Sequence, residues 1–427
     1  MGLVKTTYTD KETVISAKNL NDIQDAILDL EDGLFSIDND KSGEFITITD
    51  AAKRGFRSLN VFGKTTQDGT PTHDAPADLV SMETPVVMVS RKNLIPFPYS
   101  GGTVTRDGVT FSVMGDGTIA MSGKSTKDTM FAIFVGSIPL KGKFTLSGIS
   151  NTDGESSHYL QPYIDGNFQY ALYNGSRTYD INGNLTALSL FVKSGKTINA
   201  VVRPQLESGS VATDYEQYFG QHLPTNRTLH GVPVASGGNY TDSNGQQWIC
   251  DEIDFTRGVF VQRTKKVTVN GSSAENWAIS GVQQVDGAIR FDTPIPTEPR
   301  AGQTFCLCNA YSGTNSINKY AETCWCNSTE SIPSLEFRIC TAYASTVEEL
   351  KASLQANPVD FVYQLAAPIE TPLSEEELAA YAALYTYKNH TTVSNDAGAY
   401  MELEYVMDAK KYIDGLMTGT IHPATVE

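Results

Sequence analysis

The chain is predicted to be mainly β and multidomain, on three observations. Its 427 residues exceed what one hydrophobic core ordinarily serves. Its 35 glycines, 20 tyrosines and 18 phenylalanines, with 19% charged residues, suit turn-rich sheets carrying large aromatic side chains. Short stretches of alternating polarity also recur between clusters of Gly, Asn, Asp and Pro along most of its length.

The first element, within residues 1–40, is read as an oligomerisation helix. Leu20, Ile27 and Leu34 fall at one heptad position, and Ile23, Leu30 and Ile37 at the other. Leu at a with Ile at d favours trimers or tetramers over dimers, so a homotrimer is expected. Residues 41–92 form a β-rich connector, with the strand Phe45–Thr49 and then turn residues around Gly69, Pro71 and Pro76. Residues 93–220 read as a jelly-roll-like β-sandwich. Its strands are expected near Gly108–Val113, Thr118–Gly123, Met130–Val135, Phe144–Ile149, His158–Asp165, Phe168–Tyr173, Leu185–Val192 and Ile198–Leu206.

Residues 221–372 form a second β-rich domain with one inserted helix. A hairpin is expected at Asn244-Gly245 and a turn at Arg257-Gly258. Ser345 and Glu348 have capping-box spacing before an apolar stripe of Val347, Leu350 and Leu354, and Pro358 stops that helix. Val359, Phe361, Tyr363 and Leu365 then share one strand face. Residues 373–427 read as helix–strand–helix: a capping box at Ser374 and Glu377, a strand over Ala399–Val406, and a terminal helix over Met407–Met417.

A net charge of −17 argues against a nucleic-acid partner, because phosphate binding needs a basic stripe. No apolar run reaches the roughly 18 residues of a membrane span, so no membrane insertion is expected. The first residues do not read as a signal peptide, which places assembly in a cytoplasm where thiols stay reduced.

Four segments carry a family resemblance: VFGKTTQDGTPTHDAP, PQLESGSVATDYEQY, GVPVASGGNYTDSNGQQWICDEIDFTRGVFVQR and NPVDFVYQLAAPIETPLSEEELAAY. The quoted segments lie between Val61 and Tyr381, and the resemblance touches the chain from about residue 59 to 405. They resemble tail-tip, baseplate and fibre-type minor structural proteins of tailed phages and prophages of Gram-positive bacteria. The resemblance implies a virion location, other tail or baseplate proteins as partners, frequent trimers, and sandwich domains similar to carbohydrate-binding modules. It transfers no catalytic residue.

The residues themselves offer one candidate glycan surface. In His158–Asp165 the alternation sets Tyr159, Gln161, Tyr163 and Asp165 opposite Leu160, Pro162 and Ile164. In Val201–Glu207 it sets Arg203, Gln205 and Glu207 opposite Val202, Pro204 and Leu206. Aromatic rings stack on the apolar faces of sugars, while amides, carboxylates and guanidinium groups bond their hydroxyls. A solvated or subunit-facing sheet explains the same pattern. The expected role is host-surface adsorption; a connector that binds no glycan and a polysaccharide-degrading spike are the alternatives.

Enzymatic and metal chemistry find little in the sequence. The six histidines lack ligand spacing, and no nucleophile elbow, zincin or phosphate-loop motif occurs. Among the six cysteines, Cys306/Cys308 and Cys324/Cys326 are C-x-C pairs, which on strands turn both sulfurs to one side. Zinc knuckles more usually have C-x₂₋₄-C spacing, and free cysteines are among the most buried residue types, so packing is preferred over zinc or disulfides. No catalytic residue, cofactor or metal is assigned.

Overall fold

The computed structural model describes residues 40–49, 51–151, 156–279, 287–295, 299–300, 303–314, 322–328, 334–387 and 390–407. The heptads from Leu20 to Ile37 and the terminal helix beyond Met407 lie outside them. Within them the chain is mainly β, with several sheets and two helices, Val347–Ala356 and Glu375–Ala382.

A seven-stranded sheet organises the fold. Its order is Asp40–Gly43, Tyr400–Met407, Ala51–Phe62, Glu252–Asp254, Val259–Val269, Val359–Pro372 and Cys306–Cys308. One half packs on a four-stranded sheet ordered Gly220–Pro224, Val86–Ser90, His390–Asn395 and Phe45–Thr49. Ile46, Ile48, Val87, Val89, Leu223 and Val393 meet Leu59, Val61, Ile253, Met401 and Leu403 in that core. Each such buried side chain contributes about 1.5–3 kcal/mol relative to exposure. The other half packs on a six-stranded sheet that includes Ala288–Pro294, Thr323–Asn327 and Ser334–Cys340.

This topology corrects the expected boundaries. Residues 41–92 and 373–407 are not separate units: Phe45–Thr49 pairs with His390–Asn395, and Ala51–Phe62 with Tyr400–Met407. Leu223, Leu229 and Ile253 complete the same core, Val232 and Ile249 join a small cluster with Leu307 and Val362, and the second sandwich draws its core from Val269 to Leu365. Sequence order hides this, because the pairing joins strands more than 300 positions apart.

The sandwich of residues 93–208 has its own core and is inserted between two neighbouring strands of the base. Ser90 faces Gly220 across the ladder, so the chain leaves and returns at one place. Its four-stranded sheet runs Thr197–Val202, Ile119–Lys124, Val109–Val113, Val104–Arg106. Its five-stranded sheet runs Asn167–Phe168, His158–Ile164, Gly175–Val192, Thr129–Ile149, Gln205–Ser208. Phe111 and Phe131 stack at 5.1 Å across the interior.

Some elements differ from expectation. Met130–Val135 and Phe144–Ile149 are parts of one 21-residue strand, interrupted by register shifts instead of a turn. Ile198–Leu206 is two strands in different sheets, broken at Arg203-Pro204. The first helix is capped by Thr346, whose hydroxyl accepts the Glu349 N–H, one residue beyond the expected Ser345. The second carries the expected capping box of Ser374 and Glu377.

Candidate functional site

The outer face of the five-stranded sheet is the richest candidate surface. His158–Ile164 follows the predicted alternation: Leu160 and Pro162 are buried, whereas Tyr159, Gln161 and Tyr163 are half-buried on the outer side. Asp165 and Gly166, at φ +47° and +78°, turn the chain back as a tight two-residue hairpin into Asn167–Phe168. Phe168 therefore stands directly opposite Tyr163. At the other end Tyr159 is opposite Phe191, their rings parallel at 5.1 Å, and Tyr173 tilts onto Tyr159 at 5.0 Å.

The result is an aromatic ledge. Tyr159 and Tyr163 lie about 13 Å apart along the strand, with Gln161 between them. Phe168 is 75% exposed. A cation flanks the rings: Lys193 Nζ lies 5.3 Å from the Tyr173 centroid. Partial burial, with Tyr173 beside it, raises the Tyr159 phenol above its ordinary range, so it stays a neutral hydrogen-bonding group.

The predicted polar set does not assemble around this ledge. Gln161 donates its amide to the Gln169 carbonyl. Asp165 is a turn residue whose Oδ1 accepts the Asn184 backbone N–H at 2.9 Å and the Asn184 side-chain amide at 3.2 Å. Gln205 and Glu207 sit on the edge strand opposite His158–Ile164, with two strands between. Gln205 is only 1% exposed. Its amide reaches Glu207 Oε1 at 2.7 Å, and its Oε1 accepts the Glu216 N–H at 2.8 Å. Glu207 in turn accepts the Thr213 N–H and hydroxyl.

The expected shared face is thus corrected. Gln205 does point away from the core, but the chain's own segment 213–216 covers it. Arg203 is exposed at the crossing between sheets, with Nε 3.3 Å from Thr118 Oγ1, and belongs to neither group. Sequence reasoning missed Phe168, Tyr173, Phe191 and Lys193. The aromatic density of Phe168–Tyr173 after an Asp-Gly turn was the signal available. Only the hairpin shows which of these rings join Tyr159 and Tyr163.

A second, polar groove of about 570 Å³ lies on the outer side of the seven-stranded sheet. Asp254, Asn60 and Glu402 are cross-strand neighbours along its floor. Partial burial and the nearby Glu252 push the Glu402 carboxyl above the usual range. Glu252 is itself held by Asn60 at 2.8 Å and Arg263 at 2.7 Å.

No protein-family pattern matches the chain, and no curated protein sequence does. A crystal structure of the infectious bursal disease virus VP2 subviral particle aligns over 88% of each chain at 10% identity, with a TM-score of 0.09. That likeness is too slight to carry an argument about fold or function. Among the described residues no helix is long and apolar enough to cross a membrane.

Proposed function

We propose that the chain is a structural component of a phage or prophage tail tip, and that its inserted sandwich adsorbs to host-surface glycan. The observation that carries this reading is the aromatic ledge of Tyr159, Tyr163, Phe168 and Tyr173 on a domain that the chain enters and leaves at one neck. Rings supply stacking surface, and Lys193 supplies a donor for hydroxyls or acidic substituents. On this reading the heptads from Leu20 to Ile37 join three copies, and other tail or baseplate proteins hold the remaining surfaces. Linked weak sites then gain avidity of about 10²–10⁴ when geometry permits simultaneous contact.

The test is binding of the full chain to an array of bacterial wall polysaccharides, with light scattering on the same sample. The expected result is retention by a trimer, weakened about tenfold, or about 1.4 kcal/mol, by Phe168→Ala or Tyr173→Ala. A folded protein that binds none of them, or variants that bind as well as wild type, would favour the connector role.

The groove favours a second reading, a polysaccharide-degrading spike. Asp254 and Glu402 flank Asn60, so their strands are about 9.6 Å apart, and inverting glycosidases hold their carboxyls about 6.5–9.5 Å apart. New reducing ends in the bound polysaccharide, abolished by Glu402→Gln, would select it over simple adsorption.

A further inference from the structure

Four cysteines meet inside the second sandwich. Cys306 and Cys308 lie on the last strand of the seven-stranded sheet, and Cys324 and Cys326 on Thr323–Asn327 of the facing sheet. Each C-x-C pair turns both thiols to one side, and the two sides meet in the shared core. All four are at most 1% exposed. Cys306 Sγ is 3.6 Å from Cys324 Sγ. Further sulfur contacts join Cys306 to Cys326 and Cys324 to Cys308, giving a zigzag ordered Cys326, Cys306, Cys324, Cys308.

A tetrahedral metal cage would gather the sulfurs about 2.3 Å from one centre. The zigzag is a different arrangement, and among the described residues no group of three or more potential ligands is placed to hold an ion. Two thiols in contact across a sandwich are, however, one step from an inter-sheet bridge of the sort that staples immunoglobulin domains. Closing 3.6 Å to a bond of about 2.05 Å is within reach of side-chain rotation.

We propose that Cys306 and Cys324 are a redox-modification site whose oxidation to a disulfide staples the six-stranded sheet to the shared sheet. The oxidant is a small disulfide such as glutathione disulfide. The Cys306 thiolate attacks one of its sulfurs and releases one glutathione; the Cys324 thiolate then displaces the second from the mixed disulfide. Two electrons and two protons pass from the protein thiols to the two glutathiones, so the step balances. Cys306 is assigned as the attacking group, because its hydrogen bonding with Cys324 and Cys326 lowers its thiol while burial raises that of Cys324. Because the sulfurs are buried, the first exchange runs through a transiently opened sandwich, and the finished bridge keeps that opening shut. This inference is independent of what the chain binds.

The experiment uses the reduced full chain in glutathione disulfide, at a urea concentration where iodoacetamide labels Cys324 when the oxidant is omitted. Peptide mapping after oxidation should show two of the six thiols lost, joined as Cys306–Cys324. The thermal midpoint should rise and return with dithiothreitol. Cys340→Ser should keep the bridge, and Cys306→Ser should lose it. The wild-type map decides the matter even if Cys306→Ser does not fold. Core thiols that are labelled without oxidant yet stay reduced with it overturn the proposal. So do Cys306–Cys326 with Cys308–Cys324 bridges, or one equivalent of zinc in the purified protein.

Discussion

At the scale of single residues, Asp251 shows how burial and hydrogen bonding oppose each other. It is 0% exposed. Its Oδ1 accepts the N–H groups of Arg263 and Thr264, both at 2.8 Å, and its Oδ2 accepts that of His230 at 3.0 Å. Desolvation outweighs these bonds and pushes its carboxyl from 3.8 to about 6. Burial, with Lys266 and Lys265 nearby, takes His230 the other way, from 6.5 to about 4. Between pH 4 and 6 the folded chain keeps a proton on Asp251 that the unfolded chain releases, so this contribution falls as pH rises. Over the same window the unfolded chain binds a proton on His230 that the folded chain refuses, so that contribution rises. The two slopes cancel in the wild type. Relative to it, Asp251→Asn should gain stability from pH 4 to 6.5, and His230→Gln should lose it, each on the order of 1–3 kcal/mol. Urea denaturation at several pH values measures both slopes, and parallel profiles for all three proteins would refute the pairing.

At the scale of elements, local signals succeed where one short segment decides the outcome. Ser374 and Glu377 cap their helix reciprocally, as their spacing implies. The neighbouring helix is subtler, because Ser345 and Thr346 both qualify as caps. Thr346 takes the role, and Glu349 reaches back to the Ser345 N–H and hydroxyl at 2.7 and 2.6 Å. Thr346→Ala should therefore cost about 1 kcal/mol, whereas Ser345→Ala should stay within about 0.5 kcal/mol; the chemical-denaturation midpoints compare them directly. Strand ends depend on more distant partners. At Gly148, φ is +97° and a Cβ would lie 1.7 Å from the Arg203 carbonyl oxygen, so only glycine lets the long strand pass the sheet crossing. That crossing is why alternation misassigns Arg203.

At the scale of the whole molecule, the inserted sandwich stands on a narrow neck. Beyond the Ser90–Gly220 pair the ladder continues as the Arg91 N–H to the Phe219 carbonyl, at 3.0 Å. Arg91 lies over the rings of Phe219 and Tyr387 and pairs with Glu216 at 3.1 Å. Besides the neck, Phe45 packs edge-on against Phe144 at 5.2 Å, and Thr47 meets Ser208 at 3.2 Å. Because each side has its own core, replacing residues 91–219 with Asn-Gly should leave a base that folds as a hairpin-closed sandwich. Cooperative thermal unfolding with β-type circular dichroism is the expected outcome, and a chain without a melting transition would show that the two cores depend on each other.

Local patterns in the chain are enough for the β class, the alternation in His158–Ile164, the Asn244-Gly245 turn, the Ser374 cap and the shared face of Phe361 and Tyr363. Each of these is fixed by a few neighbouring residues, through side-chain period, glycine's access to positive φ, or a hydroxyl three positions from an N–H. Such patterns also mark the two C-x-C pairs as one-sided. Long-range pairing is what brings residues 41–92 and 373–407 into one core, sets Phe168 and Tyr173 on the face of Tyr159, and lays the chain over Gln205. It also sets the two pairs of thiols facing each other. Those outcomes rest on which strands pair across hundreds of positions, and period and composition are the same for every such pairing.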